Sequence, residues 1–176
     1  MSWSRLASGA AALLVAAGLS AGLSGCFQPV YSEAAHPGIV EEVRAIQVQP
    51  IASSRIGHYL IENLISDLNG TGDSPPPKYK LVVTVTTSQQ TPTVNSEINV
   101  ASSATMLGDA EFTLTKIEGD KQILKSKVFS AAAYDRTTQR YANLRAARDA
   151  EIRLARDLSM QISTQIAASL AAKPAG

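Results

Sequence analysis

The chain has 176 residues, with 16 Lys plus Arg against 15 Asp plus Glu, for a formal net charge of +1. That balance argues against a nucleic-acid binder, which would carry a basic excess. One cysteine, Cys26, and two histidines far apart in sequence, His36 and His58, exclude a disulfide framework, a cysteine-based metal site and a histidine-rich metal centre.

The N-terminus reads as a targeting segment. A short region with one cation, Arg5, precedes an apolar run from Leu6 to Leu19 built almost entirely of Ala, Leu, Val and Gly. The run is too short and too rich in small residues for a membrane span, and no stop-transfer flank follows it. It closes on Leu23-Ser24-Gly25-Cys26, which resembles the lipobox of bacterial lipoproteins. That resemblance implies thioether attachment of diacylglycerol at Cys26, cleavage just before it and acylation of the new N-terminus. Each buried methylene contributes about 0.8 kcal/mol, and two or more chains hold a protein stably on a bilayer. Phe27, not Asp, follows the cysteine. In Gram-negative lipoproteins an Asp there resembles an inner-membrane retention signal, so its absence favours the outer membrane.

Removal of residues 1–25 leaves about 150 residues, enough for one domain with a core. Residues 26–38, with Pro29 and Pro37, read as a lipidated tether, 39–172 as a single domain and 173–176 as a tail. Alternation from Ile39 to Ile51 predicts a strand ended by Pro50. Ser53 or Ser54 then caps a helix with a buried stripe of Ile56, Leu60, Leu64 and Leu68, flanked by Tyr59 and Ile65; Asn69-Gly70 stops it. His58 falls beside the stripe as a helix-surface residue. Residues 73–77, with three consecutive prolines, form a crossover.

Lys78–Ser88 is the clearest strand, with Tyr79, Leu81, Val83 and Val85 on one face and Lys80, Thr84 and Thr86 on the other. Residues 89–97 read as a rim loop, and 98–116 as a long strand with Gly108 as its expected bulge. A hairpin at Glu118-Gly119-Asp120 returns the chain as a strand over 122–133, with Lys125 and Lys127 opposite Leu124 and Val128. A polar loop, Asp135–Arg140, carries Arg136 and Arg140. Tyr141–Ala171 lacks Gly and Pro and reads as the longest helix, with Leu154, Leu158, Ile162, Ile166 and Leu170 recurring at i+4. Arg145–Asp149 and Arg153–Asp157 are its expected i,i+4 ion pairs. The fold class is therefore α+β: a four-stranded mixed sheet with two amphipathic helices on one face, in the order strand-helix-strand-strand-strand-helix. The first two strands should be parallel and the later ones a meander.

The opposite sheet face is left to solvent or a partner. It and the loop beyond it carry Lys78, Lys80, Lys125, Lys127, Arg136 and Arg140, cations able to meet phosphates through charge-assisted hydrogen bonds. The same lysines also suit a simpler role, keeping a sheet soluble and discouraging edge aggregation. No Gly-x-Ser-x-Gly, phosphate loop or His-Glu-x-x-His is present. Asp149 and Glu151 sit amid arginines as a solvated helix face. An enzyme, a cofactor and a metal are not expected.

The chain resembles the LPS-assembly lipoprotein family, LptE, in its alphaproteobacterial form. Cys26-Phe27-Gln28-Pro29-Val30-Tyr31 is similar to the family's Cys-Gly-Phe-x-Pro-Leu-Tyr start, though the Gly after the cysteine is missing. Ile46-Gln47-Val48 precedes Arg55-Ile56-Gly57-x-x-Leu60-x-x-x-Leu64, and Ala132-Ala133-Tyr134 precedes Tyr141-Ala142 and Asp149-Ala150. The resemblance implies a non-enzymatic lipoprotein on the periplasmic side of the outer membrane. It would plug the LPS-assembly barrel, LptD, help it assemble and assist lipopolysaccharide delivery to the outer leaflet. Lipopolysaccharide phosphates would meet the six cations named above. The loop over 89–97 has no cation and offers them nothing. An auxiliary lipoprotein of an ABC-type lipid transport system is the alternative reading; a periplasmic hydrolase would need a nucleophile and base that the sequence does not display.

Overall fold

The computed structural model describes residues 38–51, 54–70, 75–91, 94–95 and 100–172. The lipobox with Cys26, the tether, Ser53 and Lys173-Pro174 lie outside the described residues, as do parts of the 73–77 and 89–97 loops.

A first correction falls at the start. Ile39–Arg44 is a short helix, α1, and the strand there, β1, is only Ile46–Val48. Ile39 and Val43 are both buried, and a spacing of four satisfies a period of two as well as a helical turn, so alternation could not separate the two readings. Glu41 and Glu42 in the first turn favour the helix, since its N-terminus carries partial positive charge. Helix α2, Arg55–Asn69, follows. Ser54 caps it, its Oγ accepting the Gly57 N–H at 3.1 Å, and Gly70 ends it at φ 64°. Ile56, Leu60, Leu64 and Leu68 are all buried as the stripe predicts, each contributing about 1.5–3 kcal/mol. Ile65 instead faces outward.

Strand β2, Tyr79–Gln90, pairs parallel with β1 and antiparallel with β5, Ser103–Lys116; β5 pairs antiparallel with β6, Lys121–Asp135. The sheet order is β1-β2-β5-β6, the mixed arrangement expected of one crossover and a meander. The rim reading needs two changes. β2 runs on to Gln90, and Val94–Asn95 (β3) pairs with Val100–Ala101 (β4) as a separate two-stranded ribbon. Helix α3, Arg140–Ala171, begins one residue before the expected start, so Arg140 belongs to its first turn and not to the loop.

One sheet face is the core. Tyr79, Leu81 and Val83 of β2, Ala110, Phe112 and Leu114 of β5, and Val128, Ala132 and Tyr134 of β6 are buried. The α3 stripe of Leu154, Leu158, Ile162, Ile166 and Leu170 is buried as well and packs over β5 and β6, with Ala150 and Ala155 letting the backbones approach. Gly108 is not the bulge; the irregularity lies between Leu114 and Thr115. A Cβ at Gly108 would stand 2.9 Å from Leu154 Cδ2 and 3.1 Å from its Cγ. Gly108 serves a close contact, because Leu154 and Leu158 of α3 lie where a Cβ would stand and would have to shift to admit one.

Polar bonds then fix the helices to each other. Arg55 holds Glu151 with two bonds, the Nη2 one at 2.8 Å. Arg148 donates to the Tyr59 hydroxyl at 3.0 Å, and buried Ser159 donates to Asp67 at 2.6 Å. Both expected i,i+4 pairs on α3 are replaced: Asp149 bonds Arg153 at 2.9 Å, and Asp157 accepts from Ser130 of β6 at 3.4 Å. Sequence spacing permitted either partner for Asp149, and the sheet decided Asp157.

Gly108→Val should destabilise the fold by about 1–3 kcal/mol, because Leu154 sits in a packed interior and must shift. A lowered urea midpoint at unchanged slope reads this directly; an unmoved midpoint would show that α3 lifts from β5 freely.

Candidate functional site: the open face of the sheet

Among the described residues, two helices on one side leave the other side of the sheet uncovered. In register across β2, β5 and β6, its rows are Lys80, Thr115 and Gln122; Val82, Thr113 and Lys125; Thr84, Glu111 and Lys127; and Thr86, Asp109 and Phe129. Farther along come Ser88, Leu107 and Ala131, then Gln90, Thr105 and Ala133. The lower half is charged and the upper half is small and uncharged. Phe129, 53% exposed, marks the boundary.

The strands place Lys80, Lys125 and Lys127 on this face as expected. Lys78 lies one residue before β2 and is exposed, its N–H bonded to the Ala45 carbonyl at 2.9 Å. The cations are not equivalent. Lys127 Nζ lies 3.2 Å from Asp109 and 4.0 Å from Glu111, so it already carries its counter-ions. Lys125, opposite Thr113, has no carboxylate at ion-pair distance among the described residues. Both acids could be found in the sequence, since odd-numbered residues of the 109–115 run share one face, but their register against Lys127 could not.

Arg136 and Arg140 form a separate group. Arg136 follows the far end of β6, its N–H donating to Ser102 at 2.9 Å, and Arg140 opens α3. Nine residues of strand part Lys127 from Arg136, about 30 Å. The six cations therefore do not converge on one ligand. The loop between the arginines is held in shape: Asn143 Oδ1 accepts the Thr137 N–H at 2.7 Å while its Nδ2 donates to the Thr137 carbonyl at 2.8 Å. Tyr141 and Leu144 stand out beside it, 74% and 62% exposed. Sequence reasoning missed this apolar pair because it fell inside a helix read as amphipathic throughout. Among the described residues no group of three or more His, Cys, Asp or Glu could hold a metal ion, and no helix is long and apolar enough to cross a membrane. His58 lies on the helix surface, 3.2 Å from Glu62.

At the lower end, Tyr79 is buried where β2 begins, and its hydroxyl donates to Glu42 of α1 at 3.4 Å. Burial, and then the Glu42 charge and this bond, raise its pKa above the ordinary phenol value of 10.0.

No family model matches the chain, and no curated protein matches it. Solved structures do. A lipoprotein from Caulobacter crescentus CB15 is similar at 23% identity and a TM-score of 0.63, over 77% of this chain and 98% of that one. Lipoprotein B from Nitrosomonas europaea is similar at 12% identity and a TM-score of 0.52, over 72% of this chain and 83% of that one. At these identities the likeness establishes a shared α+β fold.

Above the ordinary phenol pKa the folded chain retains a Tyr79 proton that the unfolded chain has released. Stability that is fully present below that value should fall as pH rises through the folded one. Tyr79→Phe should flatten this alkaline limb in denaturant titrations; an unchanged limb would assign it to another group.

Proposed function

We propose that this chain is a lipid-anchored lipoprotein on the periplasmic side of the outer membrane that plugs the LPS-assembly barrel, LptD, helps it assemble, and assists lipopolysaccharide insertion into the outer leaflet. One coincidence carries the reading: the Leu23-Ser24-Gly25-Cys26 motif stands ahead of a domain whose fold is shared with bacterial lipoproteins. Acyl chains on Cys26 would hold the domain at the bilayer without a spanning segment. A sheet face of threonines, short polar residues and self-paired charges suits a wet barrel lumen better than an apolar groove would. The role is mechanical, and no residue is assigned a catalytic step.

Lipid A phosphates would meet the cations as two sets: Lys78, Lys80 and Lys125 with the partly neutralised Lys127 on the sheet, and Arg136 with Arg140 at the far end. Lys80→Ala combined with Lys125→Ala should weaken retention of lipopolysaccharide several-fold. Lys127→Ala alone should do less, because Asp109 and Glu111 already hold that ammonium. Equal losses from the two variants would refute the assignment.

Affinity purification of the full chain from membranes should recover a large heat-modifiable outer-membrane barrel, and mass spectrometry should find a triacylated N-terminal Cys26. Recovery of an inner-membrane transporter assembly would favour the auxiliary lipoprotein of an ABC-type lipid transport system. A processed chain free of lipid would overturn both.

A further inference from the structure

Strand β6 lies at the edge of the sheet, paired with β5 on one side only. On its other side, the Phe129 carbonyl accepts from Gln161 at 3.1 Å and the Ala133 carbonyl from Arg153 at 3.0 Å, both from α3. Residues 129 and 133 therefore turn their backbone groups outward. In an antiparallel pair this alternates by residue, and the β5–β6 register has no shift from Leu124 to Asp135. Lys125 and Lys127 must then also present N–H and C=O outward, and among the described residues nothing from α3 meets them. The helix covers the upper half of the edge and leaves the lower half open.

We propose that the Leu124–Val128 edge of β6, where Lys125 and Lys127 turn their backbone groups outward, receives an extended acidic segment of a partner protein as a fifth strand. Main-chain bonds to an exposed edge supply affinity in such additions, and alternate side chains supply selectivity. On the open face the entering strand runs beside Lys125 and Lys127, and its carboxylates gain chiefly at Lys125, because Asp109 and Glu111 already counter Lys127. The cleft between β6 and α3, lined by Ser130, Asp157, Met160, Gln161, Thr164 and Gln165, lies beyond this stretch, beside the half of the edge that α3 covers. A second copy of the chain fits poorly, because a twofold pairing of this edge sets lysine against lysine. No proline or bulge blocks the edge above Leu124, and its lysines discourage hydrophobic strands without discouraging acidic ones. The inference goes beyond the barrel reading and does not depend on it.

The test uses the full lipidated chain in detergent with a ten-residue alternating Glu-Thr peptide. Amide exchange at Lys125 and Lys127 should slow about tenfold at ten times the peptide Kd, while the alternating Lys-Thr peptide leaves it unchanged. Methylating alternate peptide nitrogens should abolish the protection. Lys125→Glu with Lys127→Glu should weaken the Glu-Thr peptide about tenfold by turning the Lys125 attraction into a repulsion and leaving Asp109 and Glu111 uncountered, and should allow the Lys-Thr peptide to protect. Unchanged exchange with the acidic peptide, or equal protection by its methylated form, would overturn the proposal. So would protection that needs no peptide and rises with protein concentration, since a second copy would then occupy the edge.

Discussion

Contact between α3 and the middle of β5 is the constraint on which the molecule depends. A sheet of four strands with an apolar face must cover it, and the one helix long enough runs the length of β5 and β6. Its 32 residues span about 48 Å, comparable to the strands beneath. The helix approaches the sheet most closely at Gly108 of β5, where Leu154 and Leu158 come against the backbone. Once α3 is seated, the position of α2 follows from Leu60 and Leu64 against the shared core and from the Arg55–Glu151 and Ser159–Asp67 bonds.

Because both long helices occupy one side, the molecule has two unlike exteriors. The helical side is rich in arginine, much of it engaged: Arg55 with Glu151, Arg148 with Tyr59, and Arg153 with Asp149 and the Ala133 carbonyl. The sheet carries lysines, of which Lys127 is countered by Asp109 and Lys116, at the end of β5, by Glu118. The planar guanidinium suits fixed, multiply bonded positions, whereas a lysine ammonium on a flexible stem stays hydrated. The charges that hold the fold together and those open to a partner are thus largely different residues. This matters for a domain read as a fitting within a larger assembly, since its outward face can be altered without loosening its core.

Much of the fold was legible because the periods were unambiguous. The α2 stripe recurs at i+4 over four positions, and 79–85 alternates with one exception, Val82, so each favours one secondary structure and one buried face. The failures share a cause. Ile39–Val43 satisfied two periods at once. Gly108 had two possible uses, a bulge or a close approach, and only the position of Leu154 separates them. Asp149 had an arginine four residues away on either side. The candidate site was half legible: alternation placed Lys80, Lys125 and Lys127 on one face, but the roughly 30 Å between Lys127 and Arg136 depends on how many residues β6 adds before the chain turns.

Local order in the chain by itself determined the long helices and strands, the buried stripes and the turn at Gly119, since each is set by residues within a few positions of one another. Tertiary structure decided what those elements do together: which lysine is neutralised, which half of the β6 edge the helix covers, and why a glycine stands in the middle of β5. Such facts depend on register and on the approach of segments tens of residues apart, and no local pattern encodes either.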